Sequence, residues 1–128
     1  MQYFVCEKCG NLVELVRNGG KDMTCCGKKM ERIDKNRNIG DPEKHTPRIT
    51  REGSTVTVSL AEGGHPMTDE HYIGWIALAT NRGVQRRAFM PSETPRVDFP
   101  IGKDESPREA IAFCNLHGMW YKDVEPEY

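Results

Sequence analysis

The sequence predicts an all-β protein in two parts. Residues 1–36 form a small metal-binding knuckle, and residues 37–128 a seven-stranded β-sandwich of the immunoglobulin type. Three observations carry this expectation. Four of the five cysteines, Cys6, Cys9, Cys25 and Cys26, fall in the first 26 residues, whereas all four histidines follow residue 40. Short strand-like runs recur at regular spacing from residue 48 to residue 124. Between the two regions lies Lys35-Asn36-Arg37-Asn38-Ile39-Gly40-Asp41-Pro42, a polar stretch with Gly and Pro that marks a boundary. Charge changes there as well, from +3 over residues 1–40 to −4 over residues 41–128, for a net −1 in the 128-residue chain.

In the first part, Tyr3-Phe4-Val5 leads into the knuckle Cys6-Glu7-Lys8-Cys9-Gly10. Asn11 to Arg17 alternates apolar and polar residues in a weakly strand-like way. Asn18-Gly19-Gly20 is a turn signal, and Thr24-Cys25-Cys26-Gly27 a second knuckle. A segment below ~40 residues buries too little apolar surface to fold without a metal, a disulfide or a partner chain. Cys-x2-Cys followed by Cys-Cys supplies four thiolates, a tetrahedral set that suits zinc or iron without choosing between them. Two disulfides are the competing reading. The odd cysteine count disfavours them, as does a start, Met1 to Cys6, that lacks a basic region followed by an apolar core. Together these predict thiolates in a reducing, cytoplasmic compartment.

In the second part, Arg48 to Arg51 and Thr55 to Leu60 flank the turn Glu52-Gly53-Ser54, and Thr55-Val56-Thr57-Val58-Ser59-Leu60 alternates strictly. Tyr72 to Thr80 and Val84 to Met90 flank Asn81-Arg82-Gly83, a hairpin turn. Arg96 to Ile101, Arg108 to Cys114 and Met119 to Val124 complete the set. Ser106-Pro107-Arg108-Glu109 conflicts with this assignment, because it carries a capping box with Pro at the first helical position. A strand is still expected there, since Asn115-Leu116-His117-Gly118 then closes a hairpin. Trp75, Ile76, Leu78, Phe89, Phe99, Phe113 and Trp120 are the expected core, with pocket lining as the competing role for the two tryptophans. No run approaches the ~18 apolar residues that span a bilayer, and the near-neutral charge offers no basic field to nucleic acid.

His45, His65 and His71 sit in loop-like contexts, and Cys114 and His117 form a Cys-x2-His turn whose sulfur and nitrogen can share one metal. A lone loop histidine is ordinarily just solvated, and Glu43 and Lys44 taken alone are ordinary surface charges. The Cys-x2-Cys and Cys-Cys pair resembles the desulforedoxin type of mononuclear iron centre. Glu43-Lys44-His45-Thr46-Pro47, Gly64-His65-Pro66-Met67, His71-Tyr72-Ile73 and Cys114-Asn115-Leu116-His117-Gly118 resemble the signature segments of superoxide reductases. With the N-terminal knuckle, nearly the whole chain is similar to the two-iron subtype, the desulfoferrodoxins. Asn81 to Pro107 shows no signature.

The resemblance implies two irons per chain. One is held by Cys6, Cys9, Cys25 and Cys26. The other is held by His45, His65, His71 and His117, with Cys114 as axial ligand and a sixth position open. An axial thiolate pushes electron density onto iron, and hydrogen bonds to its sulfur, expected from backbone N–H groups of the Asn115-Leu116-His117 turn, would tune it. The implied activity is one-electron reduction of superoxide to hydrogen peroxide without oxygen release, with electrons from a rubredoxin-like donor. In an extended segment Glu43 and His45 point to one side and Lys44 to the other. On that geometry Glu43 could reach the same iron as His45; the resemblance implies that it is the sixth ligand in the oxidised state, with Lys44 the cation that attracts superoxide. The small first part, with little core of its own, could lend its strands to a second chain, and the resemblance implies a homodimer. The alternatives are a non-enzymatic iron electron-transfer protein and a zinc-stabilised binding module.

Overall fold

A computed structural model describes residues 2–33 and 40–124. Most of the expected boundary segment falls on residues 34–39, outside the described residues. The chain divides into two compact units, Met1–Arg37 and Asn38–Tyr128. No helix among the described residues is long and apolar enough to cross a membrane.

In the first unit, β1 (Gln2–Val5) is the centre of a three-stranded antiparallel sheet between β2 (Leu12–Leu15) and β5 (Glu31–Arg32). A turn joins β1 to β2 by way of Cys6 and Cys9. It is closed by Gly10 N–H on Cys6 O at 2.8 Å and Cys6 N–H on Asn11 O at 2.9 Å. Two-residue strands β3 (Thr24–Cys25) and β4 (Lys28–Lys29) form a separate hairpin. Its turn residues, Cys26 at φ 52° and Gly27 at φ 75°, are both left-handed. That is the geometry a two-residue type I′ turn demands, and it explains why the cysteines here are adjacent rather than spaced by two. Among the described residues of this unit the buried apolar ones are Tyr3, Cys6 and Met30, too few to hold a fold alone.

The second unit is the expected seven-stranded sandwich. One sheet runs β10–β7–β6, from β6 (Arg48–Glu52), β7 (Thr55–Ser59) and β10 (Arg96–Pro100). The other runs β12–β11–β8–β9, from β8 (Ile73–Thr80), β9 (Val84–Ala88), β11 (Pro107–Cys114) and β12 (Gly118–Asp123). Every pairing is antiparallel. Val56, Val58, Val97 and Phe99 of the first sheet meet Ile76, Leu78, Ala110 and Ala112 of the second in one core cluster. The helix-start signature at Ser106 is overridden because β11 pairs on both sides, with β8 and β12. The Asn81 side chain accepts from Ser106 N–H at 2.7 Å, so that donor is already committed outside any helix.

Two expectations need correcting. Trp75 and Phe113 lie outside the core. They are half-buried, stacked at 5.7 Å, and the Arg86 guanidinium lies 4.7 Å over the Trp75 ring. Cross-strand register puts both on the face of β8 and β11 opposite Ile76 and Ala112. Trp120 is buried, but against His45 rather than in the core cluster. The segment around Glu43 is also not extended: Pro42–His45 makes one helical turn, α1. Asp41 caps it, its carboxylate accepting from Glu43 N–H at 3.0 Å, with Pro42 at the first helical position.

Candidate metal centres

In the first unit the four cysteine sulfurs lie within 4.8 Å of one another. Cys9 Sγ is 3.6 Å from Cys25 Sγ, which is 4.0 Å from Cys26 Sγ. Thiolates about 2.3 Å from one tetrahedral ion sit about 3.8 Å apart, so the sulfurs are already placed for a shared metal. All five cysteines are free thiols, which leaves the disulfide reading without support. Backbone N–H groups of Cys9 and Lys8, the former dominant, pull the Cys6 thiol down to about 6 against the opposing effect of burial. Sharing hydrogen bonds with the sulfurs of Cys9 and Cys6 pushes Cys26 up to about 12. Four thiols this close compete for protons, and a divalent cation that displaces them relieves the competition. Cys9 and Cys26 are exposed.

In the second unit the other five donors come from four separate places. His45 ends α1. His65 follows the turn Ala61–Gly64. His71 precedes β8. Cys114 ends β11, and His117 lies in the turn to β12. The imidazoles form a four-cornered ring. Neighbouring centroids are 4.7 Å (His45–His65), 4.7 Å (His65–His71), 5.0 Å (His71–His117) and 4.7 Å (His117–His45), each pair near perpendicular. The His45–His71 diagonal is 6.2 Å. The Cys114 sulfur, with no solvent exposure, lies with the donor atoms of His45, His65 and His71 in a group whose members are all within 4.8 Å of one another. His117 joins through Nδ1, which is 2.9 Å from His45 Nε2 and 3.8 Å from Cys114 Sγ.

Hydrogen bonds set which nitrogens face inward. His45 Nδ1–H donates to Asp41 O and His65 Nδ1–H to Pro66 O, both at 2.7 Å, which leaves each Nε2 as the lone-pair nitrogen. The Nε2 atoms of His65 and His71 are buried and have no hydrogen-bond partner. Orphaned buried acceptors of this kind are costly, and a bound cation would satisfy both at once. Two imidazole nitrogens about 2.1 Å from one ion at right angles lie about 3 Å apart, as His45 Nε2 and His117 Nδ1 do. The five donors therefore fit a single transition-metal ion. Burial favours the neutral form of His45, His65 and His71, as ligation requires. It is the main cause of the lowered values of His45 and His71, and it holds His65 down to about 4.

The supporting backbone is tight. A Cβ on Gly40, at φ 138°, would lie 3.1 Å from His117 Cγ and 3.2 Å from His45 Cε1. A Cβ on Gly63 would collide with the Glu43 carbonyl oxygen, so the loop before His65 packs directly on α1. Glu43 and Lys44 are both exposed. In a helical turn, residues two apart point to opposite sides, so the expected common side for Glu43 and His45 does not hold. Glu43 instead lines a surface groove with Thr46, Arg48 and Lys122, while His45 is 2% exposed. Lys44 is felt at the cluster, where its charge opposes protonation of both His45 and His71. The expected sulfur contact from Asn115 N–H is also corrected, because that N–H donates to Tyr72 O at 3.2 Å. Sequence reasoning missed Thr68 and Asn115, which hold the backbone around His71.

Comparison with known proteins agrees with both centres. The family model described as desulfoferrodoxin matches residues 37–123, and that of the desulfoferrodoxin N-terminal domain matches residues 1–33. A desulfoferrodoxin homolog of Archaeoglobus fulgidus is 38% identical over 120 residues, spanning 94% of each chain. A superoxide reductase of Pyrococcus abyssi is 33% identical over 102 residues, spanning 66% of this chain and 89% of its own. The crystal structure of the superoxide reductase from Treponema pallidum superposes with a TM-score of 0.74 at 30% identity, covering 95% of this chain and 96% of that one. The tetracysteine group and the four-histidine, one-cysteine group match the two-iron arrangement. With both family models matched along its length, the chain belongs to the desulfoferrodoxin family.

Proposed function

We propose that this chain is a superoxide reductase: it adds one electron and two protons to superoxide, giving hydrogen peroxide and no oxygen. The observation that carries the reading is the four-cornered ring of imidazoles with a buried cysteine sulfur beside it and two orphaned Nε2 atoms within it. His45, His65, His71, His117 and Cys114 would hold iron there, and the iron would supply the electron. The chain's own residues do the rest. The Nδ1–H bonds of His45 and His65 to backbone carbonyls orient the rings and raise the basicity of the facing nitrogens. Burial of Cys114 keeps its sulfur away from solvent.

Lys44 attracts the anionic substrate, consistent with its charge reaching His45 and His71. Glu43 takes its resting-state ligand role by resemblance, from its place in the Pro42–His45 turn. Cys6, Cys9, Cys25 and Cys26 would hold the second iron, making residues 1–36 a desulforedoxin-like domain and residues 37–128 the catalytic one. A rubredoxin-like carrier would re-reduce the iron of the histidine–cysteine site, with the tetrathiolate iron as a secondary redox centre. A cytoplasmic homodimer completes the reading.

The test is rapid mixing of the reduced, iron-loaded protein with superoxide. Stoichiometric peroxide without oxygen is expected. Oxygen release, or no peroxide, would overturn the assignment. A purified protein that carries only zinc would favour the binding-module alternative.

A further inference from the structure

We propose that Asn115 is a positioning residue: its side-chain amide locks the loop carrying His71 to the turn carrying Cys114 and His117, and so sets the shape of the second metal centre. The inference rests on the reading of that group as a metal site. His71 lies in a connection whose own peptide is held locally. Thr68 N–H donates to His71 O at 2.9 Å, and Thr68 Oγ1 accepts from His71 N–H at 3.1 Å. The peptides on either side of His71 are held from across the molecule. Asn115 Oδ1 accepts from Tyr72 N–H at 2.8 Å, and Asn115 Nδ2 donates to Glu70 O at 2.9 Å. The Asn115 main-chain N–H adds a third bond, to Tyr72 O at 3.2 Å.

Strand pairing alone does not fix this end of the sheet. The β11–β8 register runs regularly from Glu109 to Phe113, which sits opposite Trp75, then slips, so that Cys114 sits opposite Ile73. A bulge loosens the ladder where it occurs, and it occurs beside the ligand sulfur. Asn115, the next residue, takes over where regular pairing stops. The clamp needs a donor and an acceptor on one short planar group, which asparagine has. Aspartate lacks the donor.

Asn115 is exposed. Water can therefore replace its bonds to Tyr72 N–H and Glu70 O when the side chain is removed, and the sandwich keeps its stability. The placement of His71 against Cys114 has no such substitute. Loss of metal affinity without loss of stability separates a positioning role from a merely structural one.

The experiment titrates metal-free full-length protein with cobalt(II), using the parent chain, Asn115→Ala and Asn115→Asp. Tetrathiolate bands report the first site and serve as an internal reference. Asn115→Ala is expected to lower cobalt affinity at the histidine–cysteine site by about 10- to 100-fold, the range for outer-shell partners of metal ligands. Its tetrathiolate bands and thermal midpoint should match the parent, and the Tyr72 amide should exchange faster. Asn115→Asp, which keeps the acceptor, should show a smaller loss of affinity, and it decides the matter if the alanine variant does not fold. Unchanged affinity in a folded variant overturns the proposal, as does a loss matched at the tetrathiolate site or by a fall in thermal midpoint. A parent chain that takes up cobalt only at the tetrathiolate site overturns the metal-site reading itself, and this inference with it.

Discussion

Among the described residues of the N-terminal unit the buried apolar ones are Tyr3, Cys6 and Met30, and one of the three is itself a metal-donor residue. In the sandwich a continuous cluster runs from Val56 to Cys114, fed by both sheets; the donor Cys114 belongs to it at the end of β11, while the four histidines lie outside it in α1 and the connecting segments. The first unit is thus organised around its metal, whereas the second presents a metal site on a fold that stands without one. Elements of two residues, β3, β4 and β5, suffice in the former because an ion does the work of a core. In the latter, burial of the strands comes first and neutral histidines are its by-product.

The comparison is most exposed to removal of a first-unit ligand. Cys9→Ser should release the tetrathiolate metal and open residues 1–37 to protease while residues 38–128 stay resistant. Limited proteolysis with mass analysis reads this directly, and a parent-like digestion pattern would break the contrast. Cys114→Ser is the counterpart in the sandwich. Superoxide reduction should fall more than the ~10- to 100-fold typical of outer-shell changes, and the thiolate-to-metal absorption should vanish. Thermal unfolding of the sandwich should move by only a few degrees.

A purely structural change should do the reverse. Leu78→Ala, at a fully buried position, should cost about 2–5 kcal/mol in denaturant unfolding and leave the tetrathiolate metal content as it was. Lys44→Ala should have the smallest effect on the fold, within about 0.5 kcal/mol, because the residue is exposed. It should slow superoxide capture several-fold and flatten its dependence on ionic strength. A capture rate that stays the same at low salt would remove Lys44 from the proposed site.

Much of this was legible because period and spacing are local. Thr55 to Val58 alternates in sequence and alternates in burial, and Cys-x2-Cys with Cys-Cys specifies its own cluster. The α1 turn was written in Asp41-Pro42, a cap followed by proline, but the same pair also reads as a boundary. Trp75 is misplaced because a strand's two faces look alike until register is known, and the register pairs it with Phe113 on the face opposite Ile76 and Ala112. Asn115, Gly40 and Gly63 were out of reach for a different reason. Their roles consist of contacts with residues far away in sequence, which one sequence does not disclose.

The stacking of Trp120 on His45 has an optical consequence. The two rings lie 4.7 Å apart and 21° from parallel, so the indole fluorophore rests against a proposed metal ligand. Its emission should be quenched as a paramagnetic ion fills the site and return as the ion leaves. Trp75, stacked instead on Phe113, supplies a second emitter that Trp75→Phe would silence. The protein thus carries its own occupancy gauge, readable in dilute solution without any added label.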